Sequence, residues 1–265
     1  MRGFACRYLI VAGLAALALM RPAAASAEQR VKFDGAEILG SKPVAIQGYL
    51  SKPNGAGPFP AVVLLHSCLG LPANRRSIAE TFAAWGYVAL FVDEFASRGI
   101  TETCATEFGA GLSDAFGALR YLSGLRYVDP KRIAAVGYSQ GADTALQIAS
   151  ARFAAPRDPN FKAAAAFYPP CENQANVRLA IPTLILIGEA DDVTPAADCQ
   201  QLARNQPGQA SDLKLVVYPG ARHLFDDPGL ASGRRLFGMW LQYDADAAER
   251  SKSELRDFLA AKLAR

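Results

Sequence analysis

Six short runs of mainly apolar residues recur along the chain, each bounded by glycine, proline or polar residues. They cover residues 61–65, 87–92, 132–136, 163–168, 183–187 and 213–218. Strands that are apolar at successive positions, rather than at alternate ones, are typical of a parallel sheet buried on both faces. The pattern therefore predicts six central strands in a mostly parallel sheet.

Helix-like stretches separate several of these runs. We expect helices over residues 76–85 and 111–123, a third that ends near Ala151, and a last amphipathic helix over residues 245–263. Residues 31–53, before the first buried run, are predicted to form an antiparallel hairpin. Strands alternating with helices predict an α/β fold with helices on both faces of the sheet. The only long loop of note, residues 98–111, is expected to lie near any site.

The N-terminal residues have the pattern of a secretory signal peptide. Arginines precede an apolar stretch over residues 8–20, and Ala25-Ser26-Ala27 matches a small-residue cleavage site. The apolar stretch is short for a bilayer span. We expect residues 1–27 to be removed, which leaves one domain over residues 28–265. The mature protein is then predicted to be periplasmic or secreted, with no membrane anchor.

That removal changes the charge of the chain. The full sequence of 265 residues has a formal net charge of +3, and residues 1–27 carry three arginines and no acidic residue, so the mature chain has no net charge. Without a basic excess, nothing indicates nucleic acid or an anionic membrane as a partner. The length suits a single domain, and we expect a monomer or a weak oligomer.

Four cysteines remain in the mature chain, an even number in an oxidising compartment. They are Cys68, Cys104, Cys171 and Cys199, whereas Cys6 leaves with the signal. Strand order favours a Cys171–Cys199 disulfide, because both residues follow neighbouring strands, and Cys68–Cys104 would be the second. Free buried thiols are the alternative.

A serine between two glycines follows the apolar run of residues 132–136, in the pentapeptide Gly137-Tyr138-Ser139-Gln140-Gly141. This is the nucleophile-elbow pattern, in which a strand turns sharply into a helix and presents the serine hydroxyl above the sheet. By itself the pattern is weak, since a serine at such a turn is often only a helix cap. The pattern indicates a catalytic serine only if a base and an acid follow downstream in the chain.

Both partners follow in the order of an α/β-hydrolase, which is Ser, then Asp or Glu, then His. The chain has two histidines, and only His223 lies downstream of Ser139, after the run of residues 213–218. Asp191 follows the run of residues 183–187, and we prefer it to Asp192 because of its Gly-x-x-Asp spacing. A carboxylate there would orient the imidazole and stabilise the imidazolium. The sequence therefore predicts a catalytic triad on an α/β-hydrolase fold.

Acyl transfer also needs hydrogen-bond donors for the oxyanion of the tetrahedral intermediate. In this fold one donor is the backbone N–H after the nucleophile, here that of Gln140. The second comes from the loop after the first buried run, and we expect it to be the N–H of Cys68. His66, in the same loop, is predicted to be structural.

The chain resembles the dienelactone hydrolase family of α/β-hydrolases over nearly all of its mature length. The resemblance rests on residues 65–70, 92–99, 137–141, 188–191 and 218–223, read as LHSCLG, VDEFASRG, GYSQG, GEAD and YPGARH. It implies hydrolysis of small esters or lactones without a cofactor. The best-known members use a cysteine nucleophile, whereas this chain has Ser139.

Those members also bind a substrate carboxylate with two arginines. Arg98 lies where the resemblance places the first, which makes it a candidate substrate-binding residue; a loop-bracing role is the alternative. Where the second would fall, this chain has Asp226 and Asp227. A dienelactone is therefore not the substrate we expect.

These observations predict a serine hydrolase that acts on small-molecule esters or lactones through an acyl-enzyme intermediate. A peptidase or acyl-peptide hydrolase with the same triad is one alternative, although no propeller-sized domain accompanies it. A catalytically idle binding protein of the same fold is another. No cofactor is expected, and two histidines without metal-ligand spacing give no recognisable zinc site.

Overall fold

Within the described residues, the central sheet of the computed structural model has eight strands in the spatial order β1-β2-β4-β3-β5-β6-β7-β8. The structure describes residues 27–38, 40, 42–106, 108–154, 158–206 and 212–264. The strands are β1 Gln29–Asp34, β2 Ala45–Ser51, β3 Phe59–Leu65, β4 Val88–Asp93, β5 Val128–Tyr138, β6 Ala163–Phe167, β7 Thr183–Gly188 and β8 Leu213–Tyr218. The strands β1, β2 and β4 pair antiparallel, and all pairs from β4 to β8 are parallel. The predicted initial hairpin and the mostly parallel sheet are both confirmed.

Five α-helices of the described residues cover the sheet. They are α1 Arg75–Ala84, α2 Gly111–Ser123, α3 Gln140–Ala149, α4 Ala196–Arg204 and α5 Ala245–Lys262. Phe82 of α1 and Leu259 of α5 belong to the core on one face of the sheet, whereas α2 packs into the core on the other. The sequence pattern predicted four of these helices and missed α4.

Alternate side chains of each central strand enter opposite cores. In β3, Val62 and Leu64 pack on the side of α1, and Val63 and Leu65 pack on the side of α2. All four side chains are fully buried. This two-sided burial explains why the strand is a continuous apolar run rather than an alternating one.

A second, two-stranded sheet lies between His223 and α5, and the sequence pattern did not predict it. Its strands are β9 Arg234–Leu236 and β10 Met239–Leu241. Leu241 forms an isolated bridge with His223, and the N–H of Gln242 donates to the His223 carbonyl oxygen at 3.2 Å. The hairpin is therefore attached to the loop that carries this histidine.

The predicted signal peptide falls on residues 1–27, of which 1–26 lie outside the described residues. Within the described ranges, none of the helices has the length and apolar character that crossing a membrane requires.

Candidate active site

Ser139 occupies a sharp turn between β5 and α3. Its backbone has φ 52° and ψ −112°, a conformation that non-glycine residues rarely adopt. A Cβ at Gly137 would overlap the carbonyl oxygen of Gly141, and a Cβ at Gly141 would overlap that of Leu65. Both glycines of the pentapeptide are therefore needed for this close approach, and the turn raises the serine above the carboxyl edge of the sheet.

His223 and Asp191 reach the same edge from the loops after β8 and β7. His223 Nε2 lies 3.0 Å from Ser139 Oγ, and His223 Nδ1 lies 2.8 Å from Asp191 Oδ2. All three residues are buried or nearly so. Serine, imidazole and carboxylate, which are far apart in sequence, thus form one continuous hydrogen-bonded chain. The two loops can approach each other because Gly188 packs against the Ala221 carbonyl without a side chain.

The carboxylate of Asp191 is held by its own loop. Its Oδ1 accepts hydrogen bonds from the N–H groups of Val193 and Thr194, both at 2.9 Å, and Thr194 Oγ1 lies 3.0 Å from Oδ2. Because a carboxylate only accepts, the proton between Asp191 and His223 belongs to Nδ1. The lone pair of Nε2 then faces the serine hydroxyl. The sequence pattern did not identify Thr194, since a threonine before a proline has no distinctive signal.

The two backbone donors expected for an oxyanion are those of Cys68 and Gln140. Among the described residues, no oxygen accepts a hydrogen bond from either N–H group. Cys68 and Ser139 line the same small cleft, and Gln140 is the first residue of α3. Free N–H groups at a helix start and in an adjoining loop are suited to stabilising negative charge.

One short segment, residues 101–106, braces both of these donors. The Thr103 N–H donates to the Cys68 carbonyl oxygen at 2.9 Å, and the Thr103 hydroxyl donates to Gln140 Oε1 at 2.6 Å. The next residue, Cys104, forms a disulfide with Cys68. The loop over residues 98–111 was expected to lie near the site. Its residues 101–106 hold the two proposed donors in position.

His66 is buried and takes no part in the hydrogen bonds that join Ser139, His223 and Asp191. Its Nδ1–H donates to the Ser67 carbonyl oxygen at 2.8 Å, and its ring packs edge-on against Phe95 with centroids 4.5 Å apart. Burial lowers the pKa of His66, so the ring is neutral at pH 7. Burial also raises the pKa of Glu94 well above its usual value, although Glu94 Oε2 is 3.7 Å from His66 Nε2. These contacts fit a structural role.

The guanidinium of Arg98 forms hydrogen bonds with groups inside the protein. Its guanidinium donates two hydrogen bonds to the Asp114 carboxylate, at 2.7 and 2.8 Å, and a third to the Glu94 carbonyl oxygen. Asp114 is fully buried, and burial raises its pKa while Arg98 opposes that rise. Removing Arg98 would leave this carboxylate unpaired. The contacts favour the loop-bracing alternative over substrate binding.

The described residues form two disulfides, Cys68–Cys104 and Cys171–Cys199, which is the pairing that strand order favoured. Within the described ranges, no group of three or more histidine, cysteine or acidic side chains is arranged to hold a metal ion.

The cleft over Ser139 and His223 is narrow, and the hairpin β9–β10 forms one wall of it. Met239 and Leu241 of this hairpin line the cleft together with Cys68 and Leu69. The sequence analysis predicted Cys68 as an oxyanion donor but did not identify Met239 and Leu241 of the hairpin as part of the site. Strand pairs this short give little periodic signal.

Comparison with known proteins places the chain among hydrolases. Residues 46–263 match the model of the dienelactone hydrolase family. An uncharacterized protein of Mycobacterium tuberculosis is 31% identical over 207 residues, which are 71% of this chain and 70% of that protein. A cutinase of Thermobifida alba is 23% identical over 200 residues, which are 74% of this chain and 62% of the cutinase.

Solved structures give the same fold. A dienelactone hydrolase-like promiscuous phosphotriesterase from metagenomic libraries superposes with a TM-score of 0.66 at 23% identity, covering 89% of this chain and 99% of that one. A dienelactone hydrolase of Anabaena variabilis superposes with a TM-score of 0.64 at 19% identity, with the same coverage of 89% and 99%. At these identities the likeness establishes the architecture.

Proposed function

Since this chain belongs to the dienelactone hydrolase family and is a carboxylic ester hydrolase, we propose that it cleaves small esters or lactones with Ser139 as the nucleophile. His223 is the general base and acid, and Asp191 orients it. The observation that carries the proposal is the hydrogen-bonded chain from Ser139 Oγ to His223 Nε2, at 3.0 Å, and from His223 Nδ1 to Asp191 Oδ2, at 2.8 Å. No cofactor takes part.

The first half of the reaction forms an acyl-enzyme. Ser139 Oγ attacks the ester carbonyl carbon while its proton passes to His223 Nε2. The carbonyl oxygen becomes an oxyanion, which the N–H groups of Cys68 and Gln140 stabilise. As the carbonyl re-forms, the bond to the alcohol oxygen breaks, and His223 gives its proton to that leaving oxygen.

The second half releases the acid. Water gives a proton to His223 Nε2 and attacks the acyl carbon, and the oxyanion again lies at the Cys68 and Gln140 donors. The bond to Ser139 Oγ breaks, and His223 returns the proton to the serine. Asp191 stays ionised throughout and stabilises the imidazolium in both halves.

The decisive experiment is covalent labelling by a fluorophosphonate together with hydrolysis of a short p-nitrophenyl ester. Ser139→Ala should lose the label and all but a residual few per cent of turnover, while circular dichroism stays native. Ser113→Ala is the matched control, because Ser113 is a buried serine whose hydroxyl donates to the Ala36 carbonyl oxygen at 2.6 Å; it should still label. Labelling or turnover that survives in Ser139→Ala would exclude the triad, and a wild-type protein that fails to label would be an idle member of the fold.

We also propose that the protein is exported from the cytoplasm. Residues 1–27 would direct secretion, and the two disulfides of the remaining chain are of the kind that persists in oxidising compartments. N-terminal sequencing of protein recovered from the periplasm or medium should begin at Glu28. A cytoplasmic protein that retains Met1 would contradict this part.

A further inference from the structure

A cavity of about 230 Å³ opens beside the cleft that holds Ser139 and His223. Ser67, Leu69 and Leu224 line both the cavity and the cleft, so a substrate bound at the serine has direct access to it. Ligand pockets commonly measure about 300–1,000 Å³. The cavity therefore suits one small substituent of the substrate.

Most of the cavity wall is apolar, and Asp226 interrupts it. Asp226 Oδ1 accepts a hydrogen bond from the Tyr168 hydroxyl at 2.7 Å. Its own backbone N–H also donates to the carboxylate, and in the described part of the chain no side chain besides Tyr168 donates to it. Burial raises the pKa of Asp226 to about 6, so the carboxylate is mostly ionised at neutral pH.

The described lining of this cavity supplies no cation to balance that charge, and Lys252 lies across the neighbouring cavity that Asp226 also lines. Asp227 adds a second carboxylate, and the described residues that line the cavity include no lysine or arginine. His66, which also lines it, is neutral because burial lowers its pKa. A partly buried carboxylate without a cation is unfavourable unless a ligand supplies one. The charge of the cavity therefore discriminates between substrates.

We propose that this cavity is a subsite for a protonated amine of the substrate, and that Asp226 is the residue that determines this specificity. Esters whose small apolar substituent ends in an ammonium group bind with that group at the Asp226 carboxylate. Esters with a carboxylate at the same position are rejected. The inference rests on the proposed function, because the cavity is reached from Ser139.

The test uses four p-nitrophenyl esters of equal chain length that differ at the far end of the acyl group. The end groups are ammonium, hydroxyl, methyl and carboxylate, in the 6-aminohexanoate, 6-hydroxyhexanoate, heptanoate and heptanedioate esters. A second series carries the same end groups on the alcohol of an acetate ester. In at least one of the two series, the wild-type kcat/KM of the ammonium ester should exceed that of the carboxylate ester by roughly 10- to 100-fold, as for a charge-assisted hydrogen bond.

Two nearly isosteric variants locate the source of the preference. Asp226→Asn should bring the ammonium-to-carboxylate ratio to within about threefold of unity. Asp227→Asn removes the same charge one residue away, but the Asp227 carboxylate already accepts the Gly229 N–H at 2.9 Å. It should keep most of the wild-type ratio. A ratio near unity in both wild-type series, a ratio that survives in Asp226→Asn, or an equal loss in Asp227→Asn would overturn the proposal.

A pH series checks the proposal in the wild-type protein, should Asp226→Asn fold poorly. The ammonium-to-methyl ratio should fall toward unity as the pH drops from 7.5 to 5, because Asp226 takes up a proton. Among the described residues, the titratable groups that line the same two cavities as Asp226 are His66, Tyr138, Tyr168, Asp227, Tyr243, Glu249 and Lys252, and His223 also acts on its charge. His223 acts on every ester in the same way, so the dependence of the reaction on this base cancels in the ratio.

A ratio that is independent of pH would contradict the role of Asp226. The methyl ester separates this inference from the proposed function. If Ser139-dependent hydrolysis of the heptanoate ester is found without any charge preference, only the subsite is wrong. If the heptanoate ester is not hydrolysed, the proposed function fails and the subsite fails with it.

Discussion

The disulfide between Cys68 and Cys104 should matter for activity as well as for stability. Cys68 carries one proposed oxyanion donor, and the disulfide ties it to the segment that also holds Gln140 through the Thr103 hydroxyl. We therefore consider the double variant Cys68→Ala/Cys104→Ala. The backbone N–H of residue 68 remains in this variant, so any loss of rate comes from its position.

The second disulfide provides a control of matched size. The two disulfides span 36 and 28 residues, and loop-closure entropy gives about 4 kcal/mol of stabilisation for each. Cys171→Ala/Cys199→Ala should therefore lower the free energy of unfolding about as much as the first pair does. Neither Cys171 nor Cys199 lines the cleft at Ser139.

The two variants should differ in kcat. Loss of one oxyanion donor costs about 100- to 1,000-fold, so a displaced donor should cost on the order of 10- to 100-fold. Urea denaturation gives the free energies of unfolding, and p-nitrophenyl ester turnover well below each melting temperature gives kcat and KM. We expect Cys68→Ala/Cys104→Ala to lose kcat at little change in KM, and the control pair to lose less than threefold. Equal kcat values at equal stability would refute the bracing argument.

Three further predictions follow from single side chains. Asp191→Asn should lower kcat by about 10⁴-fold in a folded protein, because an amide N–H facing Nδ1 selects the wrong tautomer of His223; a loss below tenfold would contradict the assignment. Thr103→Val should lower kcat and cost about 1–3 kcal/mol of stability by stranding Gln140 Oε1, and Thr103→Ser should restore both. Burial raises the pKa of Asp226 to about 6, against ~3.9 when unfolded. The folded state thus binds the extra proton between those values, and the wild type should lose up to about 3 kcal/mol as the pH rises from about 4 to 7. Urea denaturation of Asp226→Asn should show an advantage over wild type that grows across this interval; a constant difference would contradict it.

The sheet was predictable from sequence because its strands are buried on both faces. The continuous apolar runs of β3 and β7 indicate strands that are buried on both faces. The turn residues that follow them mark the edge of the sheet where the site lies. The hairpin β9–β10 has no such pattern, since Arg234 and Arg235 are exposed and only Leu241 is fully buried. Its position comes from packing against the backbone of His223, which no local periodicity encodes.

Arg98 shows a different limit of sequence reasoning. Its place in the loop after β4 suggested a ligand contact, yet its partner is Asp114, in the first turn of α2. An acidic residue in the first turn of a helix is ordinary and favourable for the helix dipole. Nothing in the sequence distinguishes it from a buried ion-pair partner, because burial of Asp114 arises only when α2 packs on the sheet.

The site is assembled by three strained backbone turns. Of the four non-glycine residues with positive φ in the described chain, Ser139, Tyr168 and Leu224 surround the cleft and its side cavity. Each such conformation costs on the order of 1–3 kcal/mol. The adjoining sheet holds two of them directly, since the N–H of Ser139 donates to the Phe167 carbonyl at 2.9 Å and that of Tyr168 to the Leu186 carbonyl at 2.7 Å. Tyrosine and leucine are not typical of left-handed turns. The sequence therefore does not predict the turn at Tyr168, nor the hydrogen bond between Tyr168 and Asp226. The rigidity of the buried strands keeps those turns in place, and the carboxylate that we propose to select substrates depends on them.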